Sequence, residues 1–265
     1  LFMANLSLGL LALGWWIYSC VMQEGDKARN WRSRWRWIWV WAVWMACLFH
    51  WTSYLLRWYI GGRIPLGNGH ETMLFLAGFL LLCTCIWQRR FSFLLPAGLL
   101  LSGFTLLVAY LSEMNPQITP LMPVLLSPWL SLHVSLIMVS YALFALMCLC
   151  SILALSIRRH TWQRQRLTLF CRVLLYPAVL CLGIGIFIGA VWANVSWGSY
   201  WAWDPKEVWA LITFMLYGMA FHVQSIPRFR NPYFFHWFLI VSFSAILMTY
   251  FGVNYVLGGM HSYAG

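Results

Sequence analysis

Residues 132–157 read LHVSLIMVSYALFALMCLCSILALSI, a run with no charged side chain that ends against Arg158 and Arg159. A helix needs about 20 apolar residues to cross bilayer hydrocarbon, and backbone in that solvent must satisfy its own hydrogen bonds, so the run predicts a membrane-spanning helix. Seven further sustained apolar runs lie at about 1–22, 37–60, 70–87, 93–111, 169–194, 207–224 and 233–257. The expected fold is therefore all-α, a polytopic membrane bundle of about eight transmembrane helices. It forms one membrane domain over 1–265, with the first two helices in 1–60 and the rest in 61–265.

Composition agrees. Of 265 residues, 62% are hydrophobic and 9% charged, and mean hydropathy is +0.74, which excludes a large soluble domain. The net charge of +11 is no argument for a nucleic-acid partner, because the basic residues lie between apolar runs. Thirteen of them fall in the segments 24–36, 88–91, 158–168 and 225–232. The alternate segments carry little more than Arg57, Arg63 and Lys206. The positive-inside rule then makes the first set cytoplasmic and puts both termini on the outer side. The first run has no basic segment before it and no small-residue cleavage site after it, so 1–22 is read as a span rather than a signal peptide. The eight cysteines all lie within or at the ends of apolar runs and read as small core hydrophobes. No Cys-x-x-Cys occurs, so the chain is not itself a c-type cytochrome.

Three segments share the expected outer side: 61–69, the Pro-rich 113–133, and 192–207. Trp35, Trp37, Trp39, Trp41 and Trp44 fit an interfacial aromatic belt. The stretch 192–209 is different, because it packs Trp192, Trp197, Trp201, Trp203, Trp209 and Tyr200 into one outer loop. Flat aromatic faces with a polar rim suit a large planar apolar ligand with a charged edge, which points to haem or a quinone. Asp204-Pro205-Lys206-Glu207 also has the spacing of a helix-capping box, a purely structural use of both carboxylates.

Trp197-Gly198-Ser199-Tyr200-Trp201-Ala202-Trp203-Asp204 matches the WGxxWxWD signature of the haem-handling superfamily at every defined position. With eight expected helices and the ending Gly252-Val-Asn-Tyr-Val-Leu-Gly-Gly-Met-His-Ser-Tyr, the chain resembles the CcsA (ResC) family, the membrane half of the System II cytochrome c synthase. The resemblance runs roughly from Arg57 to the end and marks 61–265 as the haem-handling core. It implies haem as cofactor, held against Trp192, Trp197, Gly198, Trp201, Trp203 and Asp204. His133 and His261 resemble the family's paired external axial ligands, and His222 resembles its membrane-embedded histidine. Arg57 and Arg63 are the expected partners of haem carboxylates, with interface anchoring as their structural use.

Three other histidines read as structural. His50 lies mid-span and suits packing or an interhelical hydrogen bond, His236 suits the inner interface, and His160 lies in a basic loop. Glu71 has N3 spacing from Asn68 and is read as structural. The resemblance implies a holocytochrome c synthase (haem lyase) subunit with no nucleophile of its own. It would carry haem across the membrane for thioether attachment to the Cys-x-x-Cys-His motif of apocytochrome c, acting with CcsB (ResB), separate or fused, and with a thiol reductant pathway. The membrane expected is the bacterial inner membrane or the thylakoid, with lipid as surroundings and no nucleic acid. A CcmC-like haem exporter that attaches nothing is the alternative.

Overall fold

A computed structural model describes residues 1–21, 26–112, 114, 116–118, 120, 125–156 and 161–257. Among them are eight α-helices and no strand: α1 (Phe2–Val21), α2 (Asp26–Gly61), α3 (Gly69–Trp87), α4 (Leu94–Leu111), α5 (Pro128–Ser156), α6 (Thr161–Trp197), α7 (Pro205–Met219) and α8 (Pro232–Leu247). Seven are long and apolar enough to cross a membrane. Side chains such as Phe49 and Phe187 are 66% and 75% exposed, as a surface facing lipid tails requires. Contacts divide the chain into two compact units, residues 1–120 and 121–265.

In the first unit small residues set how closely the helices approach, as expected where water does not drive helix association. On α1 and α4, a Cβ added to Gly9 or to Gly103 would meet Leu100 or Leu6 within 2.9 Å. The buried Asn5 amide donates to Ser102 Oγ at 3.1 Å between the same helices. Gly98 of α4 lies directly against Thr84 of α3. His50 is buried, with Nε2 2.8 Å from the Leu74 carbonyl, so it is the interhelical hydrogen bond expected of it. Arg36 donates to the carbonyls of Gln88 and Arg89 at 3.3 Å, satisfying the open end of α3.

In the second unit α5 and α6 pack antiparallel, and Phe144 of α5 stacks on Tyr217 of α7 with ring centroids 3.7 Å apart. The described cysteines are free thiols, five of the seven buried, in keeping with their reading as core residues.

Four boundaries differ from the sequence reading. The basic segments 26–36 and 161–168 are not loops but the first turns of α2 and α6, because arginine is a good helix former and charge does not stop a helix. At its other end α6 runs on to Trp197, so Trp192 is helical and the connection to α7 is only residues 198–204. Finally α7 stops at Met219, about 22 Å of helix, rather than continuing to 224. The chain tightens there into i→i+3 bonds from Ala220, Phe221 and His222. Pro227 follows, with Ile226 pushed out of the helical region at φ −120° and ψ 87°. Beyond Leu247 the last span widens into a π-helix over Met248–Leu257.

Candidate functional site

The connection 198–204 is built by its two ends. Gly198 has φ 80°, which closes α6 with a bond from its N–H to the Asn194 carbonyl at 2.9 Å. At the far end Asp204 caps α7, accepting from Lys206 N at 3.2 Å, and Pro205 opens the helix. The Glu207 carboxylate reaches back to the N–H groups of Ala202 and Asp204, at 2.9 and 3.2 Å. The capping box expected from the sequence is thus present, with Asp204 itself buried.

Those two bonds flank Trp203, whose φ of 57° is a left-handed conformation that a bulky side chain adopts at a cost of about 1–3 kcal/mol. The residue is 73% exposed, so the strain does not serve core packing. Trp201 meets Trp203 edge to face, with centroids 6.0 Å apart at 88°. One turn before the end of α6, Trp192 is fully buried and packs edge-on against Trp197 at 4.8 Å. The five tryptophans therefore do not act alike: Trp192 anchors the helix end, and Trp203 and Trp201 form an outward aromatic shelf.

His133 lies in the second turn of α5, beside α6. Its Nδ1 is 2.6 Å from the Gly185 carbonyl oxygen, and its ring lies over Gly189. Gly189 precedes Trp192 by about 4.5 Å of helix rise and Trp197 by about 12 Å, so the imidazole sits just below the tryptophan-bearing end of α6. Gly185 and Gly189 were not singled out in the sequence; the signal was a small residue every fourth position in an apolar run. His261 lies outside the described residues.

His222 is exposed on the turn after α7, some 22 Å of helix from Asp204. His236, expected at an interface, is instead fully buried on α8. Its two ring nitrogens face Ser151 Oγ at 3.0 Å and Thr168 Oγ1 at 2.8 Å, which commits it to holding α5, α6 and α8 together.

Arg57 and Arg63 belong to the first unit, where both grip Glu71. Arg57 Nε donates to Oε1 at 3.1 Å, and Arg63 donates to Oε2 at 2.8 Å and to Oε1 at 3.2 Å. Gly67 N–H adds a bond of 2.8 Å, while Asn68 caps the Glu71 N–H at 2.8 Å. The rest of the Arg57 fork donates to the carbonyls of Pro116 and Gln117. The carboxylate that these arginines were expected to find on a ligand is here supplied by the chain. Among the described residues no cluster of three or more His, Cys, Asp or Glu is arranged to hold a bare metal ion. A porphyrin asks for less: one or two axial nitrogens and flat apolar walls. The chain carries groups of both kinds, an imidazole in His133 and exposed aromatic surface in Trp203.

Comparison with known proteins places this architecture. The family described as Cytochrome C assembly protein matches residues 66–261. Protein NrfI of Wolinella succinogenes is 39% identical over 229 residues, covering 83% of this chain and 25% of that protein. The cytochrome c biogenesis protein CcsA of Chlamydomonas reinhardtii is 35% identical over 228 residues, covering 79% and 63%. CcsA of Prochlorococcus marinus strain MIT 9301 is 32% identical over 251 residues, covering 79% of each. The chain thus spans a quarter of NrfI and under two thirds of the algal CcsA. From the extent of the family match and the identity to these relatives, the chain is an integral membrane protein that belongs to the cytochrome c assembly protein family, with CcsA-type proteins of cytochrome c biogenesis among its relatives.

Proposed function

We propose that this chain carries haem to the outer face of its membrane and presents it on the Trp201–Trp203 shelf, with His133 and His261 as axial ligands. A CcsB-type partner completes the synthase. Haem is the substrate: two cysteine thiols of an apocytochrome Cys-x-x-Cys-His segment add across its two vinyl groups. Each addition forms one C–S and one C–H bond from S–H and C=C, so atoms balance with no oxidant. The chain's own task is orientation and exclusion of water, with imidazoles holding the iron until the incoming histidine displaces one.

The observation that carries this reading is Trp203, kept exposed in a strained backbone between the two bonds to Glu207, on the connection that follows the helix on which His133 rests. Strain retained at an exposed aromatic residue is the mark of a binding surface rather than a core. His222, one helix length away, is proposed as a separate inner station where haem enters. Its second ligand comes from the partner, since both nitrogens of His236 are already engaged.

The test is reconstitution of the purified protein with a CcsB-type partner, haem, reductant and an apocytochrome. Covalent holocytochrome that disappears with His133→Gly and with His261→Gly supports the synthase. Haem release to a carrier without attachment would replace it with the exporter reading.

A further inference from the structure

Arg172 lies on α6, about 37 Å of helix rise from Trp197 and the tryptophan-bearing connection. Its own unit offers no carboxylate to meet its charge. Residues 121–265 contain two acidic side chains, Asp204 and Glu207, and both cap α7 at that distant end. What the guanidinium does touch is neutral: Nη2 donates to the Phe229 carbonyl at 3.0 Å, and the fork lies 5.3 Å from the centre of the Phe235 ring. Its Nε is sealed from solvent without a hydrogen-bond partner. A half-buried cation in this state is costly, and on a membrane helix it marks the place of an anionic ligand. Arg228 and Arg230, on the neighbouring turn, are exposed, and water or lipid phosphate satisfies them.

The same face of α6 carries the turn that bears His222. Tyr176 is four residues from Arg172, so the two side chains share that face. Tyr176 packs on Phe221 with ring centroids 4.9 Å apart, and Arg172 holds Phe229. The turn is thereby fastened to α6 at two points about 6 Å apart along the helix, with His222 between them in sequence. Backbone bonds tie the intervening residues together: the His222 carbonyl accepts from Ile226 N–H at 2.8 Å, and the Ile226 carbonyl from Phe229 N–H at 3.1 Å. An exposed histidine and a half-buried arginine are thus joined through three consecutive hydrogen bonds.

A porphyrin with two propionates asks for that pair of groups. The imidazole meets the iron at its centre, and guanidinium is the side chain whose planar fork matches a carboxylate at its edge. We infer that Arg172 is the carboxylate-binding residue of the His222 station, gripping one propionate of the haem as it enters. This rests on the reading of His222 as the entry station and names the group that recognises the acidic edge of its ligand. Lipid phosphate is the rival anion, and the exposed Arg228 and Arg230 are better placed to take it.

The experiment uses the full-length protein with its CcsB-type partner, carrying His133→Gly and His261→Gly so that haem loads only at the His222 station. Haemin and its dimethyl ester, whose propionates carry no charge, are titrated and followed by absorbance. The ester is expected to bind about 10–100-fold more weakly than haemin, a comparison made with Arg172 in place. Arg172→Gln is expected to weaken haemin by a similar factor and to leave the affinity for the ester unchanged, whereas Arg172→Lys keeps part of the preference for haemin. Equal affinity for haemin and ester before Arg172 is altered would overturn the inference with no variant of it having to fold. Equal losses of haemin and ester in Arg172→Gln would make the arginine a packing residue and overturn it as well. A preference for haemin that survives Arg172→Gln would assign the propionate to another cation and leave Arg172 to lipid. Unaltered haemin binding in His222→Gly would instead sink the entry-station reading itself.

Discussion

Replacing Glu71 by Gln removes a charge and leaves the shape of the side chain. Glu71 is 1% exposed and accepts three bonds from Arg57 and Arg63 and one from Gly67. The amide that Glu71→Gln introduces would present a donor to guanidinium groups that are themselves donors, so at least one of the three charge-assisted bonds is lost outright. Removing one partner of a buried ion pair costs about 3–5 kcal/mol. The arginine side chains keep 14% and 12% exposure, so water partly resolvates the orphaned cations, and about 3 kcal/mol is the fitting figure. At about 2–4 °C per kcal/mol for a chain of this size, the midpoint falls by about 6–12 °C. The assay is a thermal scan of purified protein in detergent at one fixed heating rate, paired with the haem absorption spectrum below the transition. The expected result is a destabilised protein with an unaltered spectrum, since the arginines serve Glu71. Unchanged stability with loss of bound haem would refute this, and would return Arg57 and Arg63 to the haem carboxylates.

Topology is tested by cysteine labelling from the outer side, which should reach thiols engineered at Ser199 and Ser262 and fail at Arg34; the reverse pattern would invert every assignment of side. Replacing Glu207 by Ala frees the N–H groups on either side of Trp203 and is expected to cost about 1–2 kcal/mol of stability. It should also lower haem retention by relaxing the strained backbone, and full retention would show that the conformation of Trp203 is irrelevant to binding. Replacing His222 by Gly should abolish haem entry to the inner station, with recovery on adding imidazole; wild-type haem content and cytochrome assembly would leave His222 as a surface residue.

What could be read in the sequence follows the range of the forces involved. The caps Asn68 and Asp204 were legible because a side chain three residues from its target is a local rule, independent of what packs nearby. His50 was legible in kind, since a mid-span imidazole must find a partner, though not that the partner would be the Leu74 carbonyl. The end of α6 was misplaced because the dense aromatic residues of 192–209 resemble one binding loop, whereas 192–197 is helical and Trp192 is buried. The end of α7 was missed because its apolar composition continues past Met219 and only the backbone tightens there. His236 looked interfacial from its position in the chain, and nothing local pointed to Ser151 and Thr168 on two other helices. The seat of His133 over Gly189 likewise depends on the register of α5 against α6, a tertiary fact that spacing alone hints at.

The central claim is that iron sits between His133 and His261 beside the tryptophan shelf. Electron paramagnetic resonance of the ferric, haem-loaded full-length protein tests it most directly, with wild type beside His133→Gly, His261→Gly and the double variant. Two axial imidazoles give a low-spin signal. Each single variant is expected to convert it to a high-spin or imidazole-restorable species, and the double variant to lose the outer haem. An unchanged low-spin signal in the double variant would contradict the account.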